Sequence, residues 1–239
     1  MSALFIVIPA YNEEANIEDV INDWYPVVET HSGGGNSRLI IVDDGSKDNT
    51  YGMMQACAKT RPFFVPLHKE NGGHGAAVLY AYRYALDHGA DFVFQTDSDG
   101  QTLPAEFEPF WEQKEDYDMV IGWRRGRQDG FARFLVTKTL KLVISICFGV
   151  SVTDANTPFR LIKRGALENS LRLIPRDFNL SNVILSVICA KKGYAVKYIP
   201  ITFRPRQGGV NSINLRKIVK IGMKAFRDFI QIDKNLKSE

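Results

Sequence analysis

Residues 92–101 of the chain, FVFQTDSDGQ, place an acidic turn directly after a short apolar run. The run at 92–95 predicts a strand that is covered on both faces, because it is apolar without alternation. Asp97 and Asp99 follow it, and two carboxylates at this spacing can share one hard cation. Gln101 adds a neutral oxygen. The segment therefore predicts a site for Mg²⁺ or Mn²⁺, ions that favour oxygen ligands and often bridge them to phosphates.

Two other polar segments follow apolar runs in the same way, PAYNEE at 9–14 and DDGS at 43–46. The predicted strands of this part of the chain lie at 4–8, 39–42, 63–67, 92–95 and 119–121. Helical patterns separate them at 13–28, 49–59 and 75–86. Such alternation predicts an α/β fold with a mostly parallel sheet flanked by helices. Ligands bind beyond the carboxyl ends of such strands, so we expect the three polar segments on one rim.

Helix capping is the competing explanation for several of these polar residues. Asp48 suits the cap of the helix at 49–59, and Glu13 suits the start of the helix that follows PAYNEE. Capping does not explain two adjacent acids, Asp43 and Asp44, at the end of a strand. Carboxylates there can accept hydrogen bonds from a base or a ribose hydroxyl, and Tyr11 can stack on a base.

A glycine-rich turn, NGGHGAA at 71–77, leads into the helix at 75–86. Its backbone can approach a pyrophosphate closely, although it lacks both the GxGxxG spacing and the lysine-containing ending of a P-loop. His74 has no partner that the sequence reveals, so we expect it to serve the loop rather than the chemistry.

The regular alternation ends after Gly122. Helices are predicted at 131–148 and 180–190, a basic loop at 126–130, a strand at 195–199 and a basic amphipathic helix at 213–232. Basic residues outnumber the single acid, Asp129, in the stretch from 124 to 141, where they are Arg124, Arg125, Arg127, Arg133, Lys138 and Lys141. Local basic clusters favour phosphates or anionic surfaces, and a solvated face is the alternative.

The bulk composition is that of an ordinary soluble protein. The chain has 239 residues, 45% hydrophobic and 24% charged, which suits one α/β domain. A net charge of +3 does not indicate nucleic acid as a partner, and three cysteines without CxxC spacing predict free thiols in a reducing compartment. Two lysines interrupt the apolar stretch at 135–152, so we expect no membrane span. The expected location is cytoplasmic, with attachment to the cytoplasmic face of a membrane left open.

The ordered set PAYNEE, VDDGSKDNT, NGGHGAA, DSDGQ, IGWRR and DANTPFRLIKR resembles glycosyltransferase family 2, and within it the dolichol-phosphate mannose synthase and polyprenyl-phosphate glycosyltransferase branch. The resemblance implies the Rossmann-like GT-A fold with a C-terminal helical extension on the acceptor side. It implies inverting, metal-dependent transfer of a sugar from GDP-mannose or a UDP-hexose. A polyprenyl phosphate is the first acceptor it suggests, and a saccharide hydroxyl is the alternative. Residues 1–122 would bind the donor and residues 123–239 the acceptor, within one structural domain.

The resemblance also implies roles for single residues. Those expected around the nucleotide sugar are Pro9, Tyr11, Glu13, Asp43, Asp44 and Asp97. Those expected to hold the metal are Asp97, Asp99 and Gln101. The acceptor would be bound by Arg124, Arg133, Thr137 and Arg206. The residues expected to take part in catalysis are Asp99, Arg124, Arg133, Asp154 and Arg160. A hydroxyl acceptor would need a base, for which Asp154 is the candidate, whereas a phosphate acceptor is already ionised near neutral pH.

The sequence departs from the family pattern at two places. The family has Asp-Ala-Asp-Leu-Gln where this chain has DSDGQ, and Gly100 is expected to loosen that turn. A late RxxGxSK motif is replaced by RQGGVNS at 206–212, which leaves Arg204 or Lys217 to supply the missing lysine's charge.

Two other classes of protein remain as alternatives. A nucleotidyltransferase would be expected to carry an N-terminal glycine-rich loop with a lysine, which PAYNEE does not match. A non-catalytic protein that binds nucleotide sugars has no need to retain a complete set of acidic residues.

Overall fold

The computed structural model describes residues 2–33, 35–124, 131–204 and 228–233, with the backbone alone at 131–137. The strands are β1 Leu4–Ala10, β2 Arg38–Asp43, β3 Phe64–His68, β4 Phe92–Gln95, β5 Met119–Arg124, β6 Arg160–Lys163 and β7 Val196–Ile201. The helices are α1 Ile17–Thr30, α2 Thr50–Ala58, α3 His74–Asp87, α4 Glu108–Trp111, α5 Phe131–Phe148, α6 Arg164–Leu171 and α7 Ser181–Lys191. A 3₁₀ turn, Pro104–Glu106, precedes α4.

The seven strands form one sheet in the order β3-β2-β1-β4-β6-β5-β7. All neighbouring pairs are parallel except the two that involve β6, which runs antiparallel to both β4 and β5. The predicted mostly parallel sheet is therefore confirmed. The register pairs Ala10 with Asp43 and Val7 with Gln95, so the carboxyl ends of β1, β2 and β4 are neighbours. The three polar segments that follow these strands share one rim, as expected.

Hydrophobic cores cover both faces of the sheet, which explains why its central strands are apolar without alternation. All seven residues of β1 are buried. Phe5 and Val7 pack on one side with residues of α3 and α7, while Ile6 and Ile8 pack on the other side with residues of α1. On that second side Phe94 packs in a tilted arrangement against Trp24, at 5.5 Å between ring centroids.

The sequence did not predict β6 or α6. In β6 only Leu161 and Ile162 lie between two basic residues, Arg160 and Lys163, so there is no apolar run to recognise. The strand is nevertheless buried between β4 and β5, where Arg160 lies opposite Gln95. The boundary predicted at residue 122 falls inside β5, and the sheet continues across it.

The C-terminal part of the chain is described only in pieces. Residues 228–233 are helical, in agreement with the end of the helix predicted at 213–232. Phe229 packs there against Phe148 at 5.3 Å and Phe178 at 6.0 Å between ring centroids. The rest of that predicted helix and the basic loop at 126–130 lie outside the described residues. No helix in the described parts of the chain is long and apolar enough to cross a membrane.

Candidate functional site

A cleft of about 340 Å³ lies where β1, β2 and β4 end. Its lining comes from all three polar segments and from the glycine-rich turn, and consists of Pro9, Ala10, Tyr11, Glu13, Asp44, Asn71, Gly73, His74, Ala77, Asp97, Ser98 and Asp99. The residues that the sequence predicted for the site and that the cleft brings together are Pro9, Tyr11, Glu13, Asp44, Asp97 and Asp99. The cleft therefore lies at the carboxyl ends of parallel strands, where α/β sheets usually bind ligands.

The acidic turn after β4 carries the candidate metal ligands. Gly100 has a φ of 68°, a left-handed conformation that glycine adopts without strain, and the backbone N of Gln101 donates to Oδ1 of Asp99 at 3.2 Å. Asp97 and Asp99 both line the cleft. Gln101 is not among the residues that line the cleft, and its Nε2 donates to the backbone O of Arg204 at 2.7 Å.

A divalent cation fits the two carboxylates of this turn. Among the described residues, no three His, Cys, Asp or Glu side chains are grouped so that they could hold a metal without further ligands. Two carboxylates suffice, however, for an ion such as Mg²⁺ that completes its coordination with water and substrate phosphates. Asp97 and Asp99 supply the hard oxygen donors that this kind of shared site needs.

The two acids at the end of β2 hold the surrounding loops together. Asp43 is buried, accepts from the backbone N of Ser46 at 3.2 Å, and its Oδ2 lies 2.6 Å from Nδ1 of His68. Asp44 borders the cleft, but its carboxylate already accepts three donors, which are Lys69 Nζ at 2.5 Å, Gly72 N at 3.0 Å and Gly73 N at 2.7 Å. Both carboxylates thus anchor the rim from which a ligand would be bound.

The loop after β2 also touches the glycine-rich turn through its backbone. Nδ2 of Asn71 donates to the backbone O of Asp44 at 2.8 Å. Gly45 has a φ of 69°, and a Cβ at this position would lie 2.7 Å from the backbone N of Asn71. A glycine is therefore required here by both its conformation and the close approach of the two loops.

Hydrogen bonds connect the segment after β1 to the loop after β2. The backbone N of Asn12 donates to Ser46 Oγ at 2.9 Å, and that of Glu13 donates to Thr50 Oγ1 at 2.9 Å. Oδ1 of Asp48 accepts from the backbone N of Thr50 at 3.1 Å, but the N-cap of α2 is Asn49, which makes no side-chain cap hydrogen bond. These bonds leave Tyr11 at the mouth of the cleft with 43% of its surface exposed, as a flat ring suited to stacking.

His74 has a partner that the sequence did not reveal. Its Nε2 lies 3.0 Å from Oδ1 of Asp97, and half of the imidazole is exposed to the cleft. The partial burial of His74 acts to lower its pKa, but the charges of Asp97, Asp99 and Asp44 have the larger combined effect. The pKa of His74 is therefore raised above its usual value. His74 therefore contacts the acidic turn after β4 as well as belonging to the glycine-rich turn. Asp97 is 23 residues away, so local pattern could not have indicated the pair.

Arg124 at the end of β5 forms a bidentate pair with Asp154. Its Nε lies 3.0 Å from Oδ2 and its Nη2 lies 2.8 Å from Oδ1, while its Cζ is 5.1 Å from the ring centroid of Phe203. Burial acts to raise the pKa of Asp154, but the hydrogen bonds and charge of Arg124 outweigh it and leave that pKa below its usual value. Asp154 is consequently ionised near neutral pH but is a weak base.

Arg160 is fully buried and lies out of reach of a ligand in the cleft. Its five N–H groups are all paired inside the protein, with the backbone O of Thr157 (twice), Ala155 and Asn182 and with Oγ of Ser186. The predicted contact with the reacting groups does not fit this position. Arg160 instead holds the loop that follows Asp154.

The side chains of three predicted acceptor residues lie outside what the structure describes. The backbone of Arg133 and Thr137 belongs to α5, but their side chains are among those not described, and Arg206 lies beyond the described residues. Arg204, a candidate for the missing lysine's charge, lies beside Gln101, and its charge acts on Asp23 of α1.

The sequence model of glycosyl transferase family 2 matches residues 5–171. UDP-N-acetylglucosamine–dolichyl-phosphate N-acetylglucosaminyltransferase of Methanococcus voltae is 29% identical over 187 residues, which are 69% of this chain and 71% of that protein. Polyprenol monophosphomannose synthase of Mycolicibacterium smegmatis is 26% identical over 218 residues, which are 87% of this chain and 80% of that protein.

A solved structure supports the fold. Glucosyl-3-phosphoglycerate synthase of Mycobacterium tuberculosis, in complex with Mn²⁺, UDP and glucosyl-3-phosphoglycerate, superposes with a TM-score of 0.67 at 20% identity. The match covers 98% of this chain and 80% of that one, and it confirms the GT-A architecture. Since the family model spans more than half of the sequence, the chain belongs to glycosyl transferase family 2.

Proposed function

We propose that the protein is a metal-dependent, inverting glycosyltransferase that moves a sugar from a nucleoside diphosphate sugar to a polyprenyl phosphate. The observation that carries the proposal is the cleft in which Tyr11, Glu13, Asp97 and Asp99 meet at adjacent strand ends. Family membership supports sugar transfer, and the names of both sequence relatives include a polyprenyl or dolichyl acceptor.

The charge of the cleft supports a role for a divalent cation in donor binding. Glu13, Asp44, Asp97 and Asp99 contribute carboxylates, and His74 is the basic side chain among the described lining residues. A diphosphate entering this cleft would be repelled, unless a cation lay between it and the carboxylates. Asp97 and Asp99 would hold that ion, whose charge stabilises the leaving nucleoside diphosphate. The Mn²⁺ in the related synthase structure agrees with this assignment.

The Arg124–Asp154 pair favours a phosphate over a hydroxyl as acceptor. A hydroxyl needs a general base, and Asp154 is poorly suited because Arg124 lowers its pKa and occupies both carboxylate oxygens. A phosphate monoester, with a second pKa near about 6, is already anionic at neutral pH. Its oxygen would attack the anomeric carbon as the bond to the donor diphosphate breaks. The anomeric configuration would invert, and Arg124, Arg133, Thr137 and Arg206 are proposed to hold the acceptor.

Helix α5 suggests how the protein would reach a lipid acceptor. Leu142 and Ile146, one turn apart, are 60% and 70% exposed, and Lys138 and Lys141 are exposed on the same helix. Large apolar side chains with nearby lysines suit the surface of an anionic bilayer. We therefore propose peripheral attachment at the cytoplasmic face of a membrane. Replacing both Leu142 and Ile146 by serine should reduce co-sedimentation with anionic vesicles, while unchanged sedimentation would contradict the attachment.

The activity can be tested with labelled donors. GDP-mannose, UDP-glucose and UDP-N-acetylglucosamine would be incubated with undecaprenyl phosphate and Mn²⁺, and label would be followed into the organic phase. A parallel reaction with a soluble saccharide tests the alternative acceptor. We expect lipid-linked sugar and nucleoside diphosphate as products. Release of pyrophosphate would instead indicate a nucleotidyltransferase.

A matched pair of variants connects this activity to the site. Asp99→Asn should lower turnover by more than about 100-fold, because losing a direct ligand exceeds the roughly 10- to 100-fold cost of losing a neighbour that orients one. The control is Asp87→Asn, at the exposed far end of α3, which should leave turnover unchanged. Normal turnover by Asp99→Asn would remove the acidic turn from the mechanism.

A further inference from the structure

His74 is held in place from two sides by its neighbours in the chain. Gly72 and Gly73, directly before it, donate their backbone N–H groups to the carboxylate of Asp44. Gly75, directly after it, is so close to residues 178 and 179 that a Cβ would lie 2.4 Å from their backbone oxygens. The first residue of α3 therefore has little freedom, and its imidazole is directed into the cleft.

The imidazole meets one of the two candidate metal ligands. Nε2 of His74 lies 3.0 Å from Oδ1 of Asp97. Within the described part of the chain, this is the hydrogen bond that the Asp97 carboxylate accepts. The terminal torsion of an aspartate is broad, so a carboxylate at the edge of a cleft rotates readily unless a partner fixes it. In metal sites, a neighbour that orients a ligand in this way contributes strongly to affinity.

We propose that His74 is a positioning residue for Asp97, fixing one carboxylate oxygen so that the other is available to the divalent cation. The inference rests on the proposed function, which assigns that cation to Asp97 and Asp99. It adds a residue from the glycine-rich turn to the donor site. It also gives a purpose to the interactions that immobilise the turn, since a loosely held His74 could not orient Asp97.

Direct contact between His74 and the donor diphosphate is a different arrangement with a different consequence. A positioning residue affects binding only when the cation is present. A residue that contacts the nucleotide affects binding with and without the cation. Nucleotide affinity measured in Mn²⁺ and in EDTA therefore separates the two roles without recourse to turnover.

The experiment compares the wild type with His74→Ala, His74→Gln and a control, His88→Ala. His88 lies at the opposite end of α3, exposed and stacked on Tyr84 at 3.8 Å between ring centroids. Calorimetric titration with UDP and with GDP would be done in Mn²⁺ and in EDTA. Electron paramagnetic resonance would measure bound Mn²⁺ directly, and thermal unfolding would verify the fold of each variant.

We expect His74→Ala to weaken Mn²⁺-dependent nucleotide binding by about 10- to 100-fold and to leave binding in EDTA within about twofold. His74→Gln should recover most of the loss, because its amide nitrogen can donate to Asp97, and His88→Ala should match the wild type. The inference would be overturned if His74→Ala bound the nucleotide in Mn²⁺ as tightly as the wild type does. It would also be overturned if His74→Ala lost as much nucleotide affinity in EDTA as in Mn²⁺. A wild type that gains no affinity from Mn²⁺ would refute the metal site in the proposed function, and the inference with it.

Discussion

Gly45→Ala tests the close approach between the loop after β2 and the glycine-rich turn. The substitution adds a single methyl group where φ is 69° and where the new Cβ would lie 2.7 Å from the backbone N of Asn71. A backbone atom cannot move aside as the end of a side chain can. The two loops must therefore separate or the variant must accept an overlap.

The structure provides a control that isolates the overlap. Gly193 has a φ of 70°, almost the same as Gly45, but a Cβ there would meet nothing within 4 Å. In both variants the left-handed conformation costs about 1–2 kcal/mol, partly offset by about 0.4–1 kcal/mol from the stiffer unfolded chain. Only Gly45→Ala adds a steric term, which for overpacked sites is about 1–3 kcal/mol. The free energy of unfolding should thus fall by about 1–3 kcal/mol more in Gly45→Ala than in Gly193→Ala.

Urea unfolding followed by circular dichroism measures this difference, provided that the three proteins share one m-value. Nucleotide affinity should also fall in Gly45→Ala and stay unchanged in Gly193→Ala, because separating the loops disturbs the rim of the cleft. Stabilities of the two variants that agree within about 0.5 kcal/mol, the usual error of such comparisons, would refute the proposed close contact.

Three further predictions concern polar groups that are buried or largely buried. Asp154→Asn should lower the free energy of unfolding by about 3 kcal/mol at neutral pH, because it leaves Arg124 without its charged partner. Because the pKa of Asp154 is lowered in the folded state, this difference should persist through neutral pH and shrink only below about pH 4, which urea unfolding at several pH values would show. Tyr82→Phe removes the hydroxyl that donates to buried Oε1 of Gln95, and should lower the free energy of unfolding by about 1–3 kcal/mol; an unchanged value would contradict that bond. Burial raises the pKa of Cys189 to about 12, so a thiol reagent at pH 8 should label it only after unfolding, as mass spectrometry can determine.

Central strands and long helices were predictable because their buried positions must be occupied by apolar residues. The prediction for β4, residues 92–95, coincides with the observed strand, and that for α5, residues 131–148, coincides with the observed helix. A strand covered on both faces has to be apolar throughout, and the polar segment after it marks its end. The rim followed from the same logic, because parallel strands place their carboxyl ends together.

The antiparallel strand β6 could not be predicted in this way. Its four residues, RLIK, carry charge at both ends, and Arg160 is buried only because carbonyl groups from residues 155, 157 and 182 surround its guanidinium. Those partners come from a preceding loop and from α7, so the environment exists only after the chain has folded. Local sequence patterns contain no record of such an arrangement.

The same limit applies to the acidic residues of the cleft, where Asp44 and Asp97 resemble each other in sequence and differ in structure. Asp44 accepts three described donors, whereas Asp97 accepts one, from His74, and a carboxylate offers about four acceptor positions. Asp44 is therefore an anchor with little capacity left for a cation, and Asp97 retains that capacity.

Isosteric amides should separate these two roles. Asp44→Asn replaces one acceptor oxygen by an NH₂ group, which would face either the N–H groups of the glycine-rich turn or the Lys69 ammonium. The free energy of unfolding should therefore fall by about 1.5–3 kcal/mol. Asp97 is partly exposed and accepts one described hydrogen bond, so Asp97→Asn should lower the free energy of unfolding by less than about 1 kcal/mol. It should nevertheless lose most of the Mn²⁺-dependent gain in nucleotide affinity. Urea unfolding and calorimetry on both variants provide the comparison. Equal losses of stability would show that the number of donors around a carboxylate does not distinguish an anchor from a ligand in this cleft.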